Sequence, residues 1–267
     1  MSIEPDKTAN FTLFEDERLD DLVRGGLKII QSTSAFCFSM DAVLLSNFAS
    51  VKKGERIVDL GAGTGVIPLL LSTRHQVQQI IGLEIQGDSV DRAMRSVRGN
   101  RLEHLIKIIE GDLRVADQIL ETGKFDLVIS NPPYLPVGRG EQNQTGSIAI
   151  ARHEVLCCLE DVISSSAKLV KYGGRVALVH RPDRLSDIII MLNNYQLKLR
   201  RMQLVYPRLY QKPNMILFEA QFGGNPELII QEPFFVYNEN GSYTIQFWNT
   251  YYPGLAYPGA GGDFSEQ

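Results

Sequence analysis

The tetrapeptide Asn131-Pro132-Pro133-Tyr134 combines two hydrogen-bond acceptors with an aromatic ring at the end of an apolar run. The run, residues 125–129, is typical of a buried strand, and the two prolines end it because they lack an N–H group and fix φ. The Asn131 side-chain oxygen and the Pro132 carbonyl are then acceptors without local donors, while Tyr134 offers a stacking face. Such a set can hold a planar amide or an aromatic amine by its NH2 group. The alternative is a proline-rich turn with a buried tyrosine.

A glycine-rich stretch, VDLGAGTG at residues 58–65, includes the end of the first strand of a regular α/β pattern. Glycines at a strand end let a ligand approach the backbone closely, and open α/β sheets bind ligands at strand ends. A dinucleotide-binding fingerprint would need a small residue where Val66 stands. The pattern is instead G-x-G-x-G behind an acid, which resembles the S-adenosylmethionine-binding loop of class I methyltransferases. The residues that this resemblance assigns to the cofactor are Asp59, Gly61, Gly63 and Gly65.

Two further carboxylates end the next two predicted strands. Glu84 ends the second strand, where a carboxylate can accept hydrogen bonds from both ribose hydroxyls. Asp112 ends the third strand after Gly111, where the methyltransferase resemblance places the contact with the adenine amine. A single acid at a strand end is usually a loop acid or a helix cap. Three acids on successive strands, at one edge of a sheet, favour a cofactor site.

Strands and helices alternate along residues 51–223, which predicts an α/β fold with a doubly wound, mostly parallel, seven-stranded sheet of the Rossmann-like type. The last two strands, residues 197–205 and 215–222, have no strong helix between them and are expected to pair antiparallel. Residues 1–50 form an N-terminal extension. Its polar first 20 residues are expected to be loosely attached, and a helix is predicted over residues 39–49.

The region after the α/β pattern is predicted to form an appendage and a tail. Residues 224–252 contain two apolar runs around Asn240-Gly241, which predicts a C-terminal β-hairpin. The tail, residues 253–267, is rich in glycine and proline and is expected to be disordered.

The composition narrows the class of protein. The three cysteines, Cys37, Cys157 and Cys158, suit neither a disulfide framework nor a zinc site, because their number is odd and two are adjacent. No apolar run is long enough to span a bilayer, and the N-terminus lacks the basic and apolar regions of a signal peptide. We therefore expect a cytoplasmic, metal-free protein without a membrane segment.

Longer stretches carry a more specific resemblance. They are LKIIQ and FCFSMDAVLLSNFA within residues 27–49, followed by KGERIVDLGAGTG, GLEIQ, SNPPY, IAIARHE and LEDVI. Together, over residues 27–180, they are similar to the bacterial tRNA1(Val) adenine-N6 methyltransferase family. The resemblance implies methyl transfer from S-adenosylmethionine, which leaves S-adenosylhomocysteine, to N6 of adenosine 37 beside the anticodon of one valine tRNA. It also implies that Asn131, Pro132, Pro133 and Tyr134 form the catalytic set.

RNA binding needs a basic surface, and a net charge of −4 leaves only a local patch to supply it. No acid occurs between Ile188 and Phe218, whereas five basic residues accumulate there and are interleaved with Tyr206 and Tyr210. The alternative is a basic edge strand that prevents aggregation. The candidates for contact with RNA are Phe38, Asp41, Arg139, Arg152, Arg181, Lys198, Arg200, Arg201 and Arg208.

Three other functions fit part of the pattern. A glutamine-N5 methyltransferase of release factors would use the same acceptor set, although that family carries a helical domain before its catalytic fold. Methylation of a ribosomal RNA amine is the second alternative. A catalytically inactive module that binds S-adenosylmethionine or RNA is the third, but the intact Asn131 and glycine loop argue against it. The expected partner is tRNA, and the expected state is a monomer.

Overall fold

A mixed β-sheet with helices on both faces organises the chain in a computed structural model that describes residues 10–33, 40–74, 76–132 and 158–258. The strands are β1 (Glu17–Asp21), β2 (Lys28–Ser32), β3 (Arg56–Leu60), β4 (Gln79–Glu84), β5 (Ile106–Glu110), β6 (Phe125–Ser130), β7 (Val170–His180), β8 (Leu197–Tyr206), β9 (Met215–Phe222), β10 (Ile229–Ile230) and β11 (Phe234–Phe235). The helices are α1 (Met40–Phe48), α2 (Val66–Ser72), α3 (Gly87–Gly99), α4 (Ala116–Ile119), α5 (Leu159–Leu169), α6 (Leu185–Asn194) and α7 (Ile245–Tyr251). Within these ranges, no helix has the length and apolar character needed to cross a membrane.

The main sheet has the strand order β10-β8-β9-β7-β6-β3-β4-β5, with β11 beside β8. Strands β3 to β9 are the seven that the sequence predicts, and they are parallel except for β9, which runs antiparallel to β7 and β8. The predicted doubly wound architecture is therefore confirmed. The chain proceeds from β3 to β4 and β5 on one side and returns to β6 on the other. The carboxyl ends of β3 and β6 thus border the crevice in which such sheets bind ligands.

Alternating side chains of the central strands build two hydrophobic cores, one on each face of the sheet. On β3, Ile57 belongs to the core formed with α1, α2 and α3, whereas Val58 and Leu60 belong to the core formed with α5 and α6. All three side chains are completely buried, as is typical of a parallel strand covered on both faces. Each buried aliphatic side chain contributes about 1.5–3 kcal/mol to the free energy of folding. The central strands are therefore stable, and they hold the polar residues at their ends in fixed positions.

The N-terminal strands β1 and β2 pair antiparallel and dock on α3, so the expectation of a loosely attached start is wrong for β1. The Glu17 side chain is 1% exposed and accepts hydrogen bonds from Arg92 Nε (3.1 Å) and from Arg95 Nη1 and Nη2 (2.7 Å each). The hydrogen bonds from Arg95 are the main reason that the pKa of Glu17 falls to about 2. This attachment could not be predicted from the sequence, because a polar strand held by ion pairs has no apolar periodicity.

The C-terminal region corrects the predicted hairpin. The first apolar run forms β10 and β11, both parallel to β8, and a single bridge between Tyr237 and Tyr243 closes the Asn-Gly turn. The second run forms α7 rather than a strand. Thr244 caps this helix by accepting a hydrogen bond from the Phe247 N–H at 3.0 Å. The rings of Tyr243, Phe247 and Tyr251 stack at a spacing of four residues. This spacing is typical of a helix, whereas the prediction of a hairpin assumed strands.

The tail is ordered at least as far as residue 258. The Trp248 Nε1–H group donates to the Leu255 carbonyl at 3.1 Å, and the Tyr257 hydroxyl donates to the Tyr243 carbonyl at 2.8 Å. The expectation of disorder from Pro253 onward is therefore wrong for this part, and residues 259–267 lie outside the described residues.

Replacing Glu17 by Gln is expected to lower the free energy of unfolding by about 3 kcal/mol at pH 7, because the folded-state pKa lies far below the ordinary 4.5. A lowered carboxyl pKa stabilises the fold above pH 4.5, and this stabilisation is lost as the pH falls toward 2. Urea titrations should therefore show that the gap between wild type and variant at pH 3 is less than about half its value at pH 7.

The control for this experiment is Asp91→Asn, which removes a more exposed partner of the same Arg95. This substitution should cost less than about 1 kcal/mol, as is usual for a pair with one exposed member. A gap for Glu17→Gln that stays constant from pH 7 to pH 3 would contradict the assigned ion pair.

Candidate active site

The loop after β3 turns its backbone toward open space. Gly61 and Gly63 adopt left-handed conformations, with φ of 77° and 55°, and a Cβ atom at either position would meet no atom within 4 Å. These values of φ favour glycine, and the space above both residues is available to a ligand that contacts the backbone. Gly65 begins α2 with φ of 88°, where a Cβ atom would lie 3.2 Å from Ala93 Cβ. The glycines therefore combine a tight turn with a close helix contact.

Glu84, at the end of β4, fixes the shape of this loop. Its Oε2 accepts a hydrogen bond from the Gly63 N–H at 2.8 Å, and its Oε1 accepts one from the Gln86 N–H at 2.9 Å. A carboxylate has about four acceptor sites. Oε1 also accepts a hydrogen bond from Gln86 Nε2 at 3.3 Å. Oε2 can therefore accept a further hydrogen bond directly, and Oε1 can do so once the Gln86 side chain moves aside, so that a ligand with two neighbouring hydroxyl groups could bind both oxygens.

Asp59, the next to last residue of β3, is completely buried. Neither of its carboxylate oxygens has a hydrogen-bond partner among the described residues. Burial, and secondarily the neighbouring charge of Glu84, raises the pKa of Asp59 well above its ordinary 3.8. A buried carboxyl group without a partner is costly. The arrangement suits a ligand that brings a positive charge or strong hydrogen-bond donors to the loop.

Asp112 lies at the expected strand end, but its carboxylate is already engaged. It caps the short helical turn that follows by accepting a hydrogen bond from the Arg114 N–H at 2.9 Å, and both oxygens also accept from the Arg114 side chain. These hydrogen bonds lower the pKa of Asp112. Contact between Asp112 and an adenine amine would have to displace the Arg114 side chain.

Gln31, which was not predicted as a site residue, contacts the glycine loop. This β2 side chain is buried, and its Nε2 donates a hydrogen bond to Thr64 Oγ1 at 2.8 Å. The N-terminal strands therefore brace the loop directly. The available signal was a polar amide that ends the otherwise apolar run Ile29-Ile30.

Asn131 follows β6, the strand next to β3. The last register pair of these strands is Asp59 with Ile129, so Gly61 and Asn131 follow two neighbouring strand ends that lie about 5 Å apart. Ser130 joins the two strand ends by donating its hydroxyl hydrogen to the Leu60 carbonyl at 2.6 Å. Asn131 is half-buried and Pro132 is buried. The acceptor-bearing end of β6 and the glycine loop thus lie side by side at one edge of the sheet, which we call the site edge.

Several candidate residues lie outside the described residues, and they are Phe38, Pro133, Tyr134, Arg139 and Arg152. Asp41 is described, and it occupies the first turn of α1, where a carboxylate favours the helix dipole. Within the described part of the chain, no group of three or more His, Cys, Asp or Glu side chains could hold a metal ion.

The sheet register separates the basic residues that were expected to contact RNA. Met202 lies level with Ser130, so Lys198 lies about 13 Å away, toward the opposite edge of the sheet. Arg181 and Arg208 follow the carboxyl ends of β7 and β8 and therefore lie at the site edge. Arg181 is paired with Asp183 at 2.7 Å.

Arg200 and Arg201 are held by a buried acid on the neighbouring strand. Glu219 Oε1 accepts from Arg200 at 2.9 Å, and Oε2 accepts from Arg201 at 3.3 Å. Arg201 also donates to the Phe48 carbonyl and lies 4.2 Å from the centre of the Phe48 ring. These contacts attach α1 to the sheet, and they engage both guanidinium groups within the protein.

Comparisons with known proteins agree on a methyltransferase. The methyltransferase small domain family matches residues 35–184. A protein of Porphyromonas gingivalis (strain ATCC 33277) named tRNA1(Val) (adenine(37)-N6)-methyltransferase is 29% identical over 72% of this chain and 76% of that protein. A protein of Tolumonas auensis with the same name is 27% identical over 71% of this chain and 78% of that protein.

Solved structures share the fold. A predicted O-methyltransferase of Agrobacterium tumefaciens superposes with a TM-score of 0.65 at 22% identity, over 82% of this chain and 98% of that chain. The M. jannaschii tRNA m1G37 methyltransferase gives a TM-score of 0.55 at 13% identity, over 79% of this chain and 58% of that chain. These similarities concern the fold, and they agree with the predicted doubly wound α/β architecture.

Replacing Asp59 by Asn is expected to stabilise the ligand-free protein at pH 8. The raised pKa means that the folded state resists ionisation of Asp59, so the charged carboxylate destabilises the fold increasingly as the pH rises above 3.8. The neutral amide has a similar shape and avoids this cost. Urea titrations should show that the advantage of Asp59→Asn shrinks between pH 8 and pH 4.

Glu103→Gln is the matched control, because Glu103 is exposed in a loop and its replacement should change stability little at either pH. Destabilisation by Asp59→Asn at pH 8 would mean that the carboxylate has a donor that the assigned surroundings do not contain.

Proposed function

The chain belongs to the methyltransferase small domain family, and from this premise we propose that it methylates N6 of adenosine 37 in tRNA1(Val) with S-adenosylmethionine as methyl donor. The observation that carries the proposal is the position of Asn131-Pro132 beside a glycine loop whose buried acid, Asp59, lacks a partner among the described residues. The printed names of the curated relatives support the acceptor. A tRNA substrate would place the protein in the cytoplasm with the translation machinery.

The residues at the ends of β3 and β4 fit the proposed cofactor. When bound, S-adenosylmethionine supplies an electrophilic methyl group on a positively charged sulfonium. The buried Asp59 carboxylate would favour the positively charged ammonium and sulfonium groups of this molecule, and the open backbone at Gly61 and Gly63 would allow its close approach. Glu84 would accept hydrogen bonds from the two ribose hydroxyls, one at Oε2 beside the Gly63 N–H and one at Oε1 in place of the Gln86 side chain.

The end of β6 would orient the acceptor. An exocyclic amine is a weak nucleophile because its lone pair is delocalised into the ring. Hydrogen bonds to Asn131 Oδ1 and the Pro132 carbonyl would take both amine hydrogens and leave the lone pair directed away from them. Orientation and fixed dipoles would then supply most of the acceleration, without a dedicated base.

The proposed target must leave its stack to reach this edge. A base in an unpaired loop costs least to extract, which suits a nucleotide beside an anticodon. In the proposed complex, Tyr134 stacks on the extracted base. The Ser130–Leu60 hydrogen bond keeps the β6 end in register with the glycine loop while the base enters.

The direct test is a methyl-transfer assay with labelled S-adenosylmethionine on bacterial tRNA that lacks N6-methyladenosine. Nucleoside mass spectrometry should then find N6-methyladenosine in tRNA1(Val). Ribosomal RNA and a release factor serve as competing acceptors in parallel reactions. Label in the release factor alone would mean that the Asn-Pro end of β6 binds an amide, and label in ribosomal RNA alone would reassign the substrate.

Asn131→Ala is expected to reduce turnover by at least about a hundredfold, the usual effect of removing one placed polar group from a reacting centre. Affinity for S-adenosylhomocysteine, measured by calorimetry, should stay unchanged because Asn131 would contact the acceptor only. Asn193→Ala, on the exposed face of α6, is the matched control and should retain activity. Loss of cofactor affinity in Asn131→Ala would remove Asn131 from the acceptor site.

A further inference from the structure

The loop between β8 and β9, residues 207–214, lies at the site edge. The register aligns Ser130 of β6 with Leu178 of β7, Phe218 of β9 and Met202 of β8, so the carboxyl end of β8 lies on the same edge as Asn131. Three strand spacings separate β6 from β8, which corresponds to about 15 Å. This is roughly the length of four stacked nucleotides.

Tyr210, in this loop, has an unusual conformation. Its φ is 65°, in the left-handed region that a bulky side chain rarely occupies. The residue is 92% exposed, so packing within the described protein does not compensate the strained backbone. Strain of this kind is concentrated at functional sites, where the surrounding structure maintains it. Val23, Arg101 and Gln196 also have positive φ, but Tyr210 combines this conformation with an exposed aromatic ring. The ring is therefore available to stack on a ligand.

The segment after β11, which contains Tyr237, packs against the β8–β9 loop. The Tyr237 N–H donates to the Pro207 carbonyl at 2.9 Å, and the Arg208 guanidinium lies 5.9 Å from the centre of the Tyr237 ring. Tyr237 stacks on Tyr243, with ring centres 5.1 Å apart, and Tyr243 stacks in turn on Phe247 of α7. The stack connects the loop to the buried Phe247 and so gives it a rigid base.

The exposed side chains of this loop carry positive charge. Arg208 and Lys212 are exposed on either side of Tyr210, and neither forms an ion pair with a described residue. Glu239, in the turn that faces Arg208, is an exposed acid and limits the net charge of the region. Cationic side chains around an exposed aromatic ring are typical of surfaces that bind single-stranded nucleic acid, because they combine backbone attraction with base stacking.

We propose that Tyr210, with Arg208 and Lys212, forms a stacking platform for an unpaired base of the RNA substrate, several nucleotides from the base that enters the site. This inference rests on the proposed function, since it names the surface that holds the same tRNA. The ring of Tyr210 stacks on the base, while Arg208 and Lys212 attract the phosphates beside it. The C-terminal stack of aromatic rings holds the platform in place.

The test is equilibrium binding of a fluorescein-labelled anticodon stem-loop of tRNA1(Val), measured by anisotropy with S-adenosylhomocysteine present. Tyr210→Gly should weaken binding by at least about fivefold, the loss of one base–aromatic stack. Its melting temperature should not fall, because glycine adopts φ of 65° without strain. Tyr210→Phe keeps the ring and should bind within about twofold of wild type.

The matched control is Tyr172→Ala. Tyr172 is 77% exposed near the amino end of β7, at the opposite edge of the sheet, and its loss should leave RNA binding unchanged. Wild-type affinity in Tyr210→Gly, or an equal loss in Tyr172→Ala, would overturn the platform and leave the proposed function intact. Failure of the wild-type protein to bind or methylate the RNA would overturn both.

Discussion

Glu84 joins the ends of three neighbouring strands, and the geometry of the site depends on it. Its carboxylate accepts from the Gly63 N–H in the loop after β3 and from the Gln86 N–H after β4, and its carbonyl accepts from the Gly111 N–H after β5. Hydrogen bonds to a charged group contribute about 1.5–3 kcal/mol each. Without this side chain, the glycine loop would lose the hydrogen bond from the Gly63 N–H that fixes its position relative to β4.

The same edge contains a buried carboxyl group, that of Asp59, which has no hydrogen-bond partner among the described residues. Asp59 is buried beside Glu84, and its raised pKa expresses the cost of keeping a carboxyl group there. Stability alone would favour an apolar residue in β3, where Val58 and Leu60 are both completely buried. An acid at this position fits a site whose ligand brings the positive charge that the carboxylate lacks. The residue then lowers stability in the ligand-free protein and favours binding, as is common at functional sites.

The strand ends could be predicted from the sequence because each carries a local signal, whereas long-range pairings could not. The G-x-G-x-G loop, Glu84 and Asn131 follow apolar runs, and these runs form the neighbouring strands β3, β4 and β6. The pairing of Arg200 and Arg201 could not be predicted because the acid-free run ends at Phe218, one residue before Glu219, which binds both arginines across the β8–β9 ladder. The C-terminal helix was missed because its aromatic residues also suit a strand.

The most direct test of this account is calorimetric titration of the protein with S-adenosylhomocysteine. Wild type should bind, and Glu84→Ala should lose at least about tenfold in affinity, since the loop and two hydroxyl contacts depend on this carboxylate. Glu110→Ala is the matched control, because Glu110 pairs with Glu84 in the register and is exposed, and it should bind like wild type. Equal affinity in wild type and Glu84→Ala would contradict the assignment of the cofactor site.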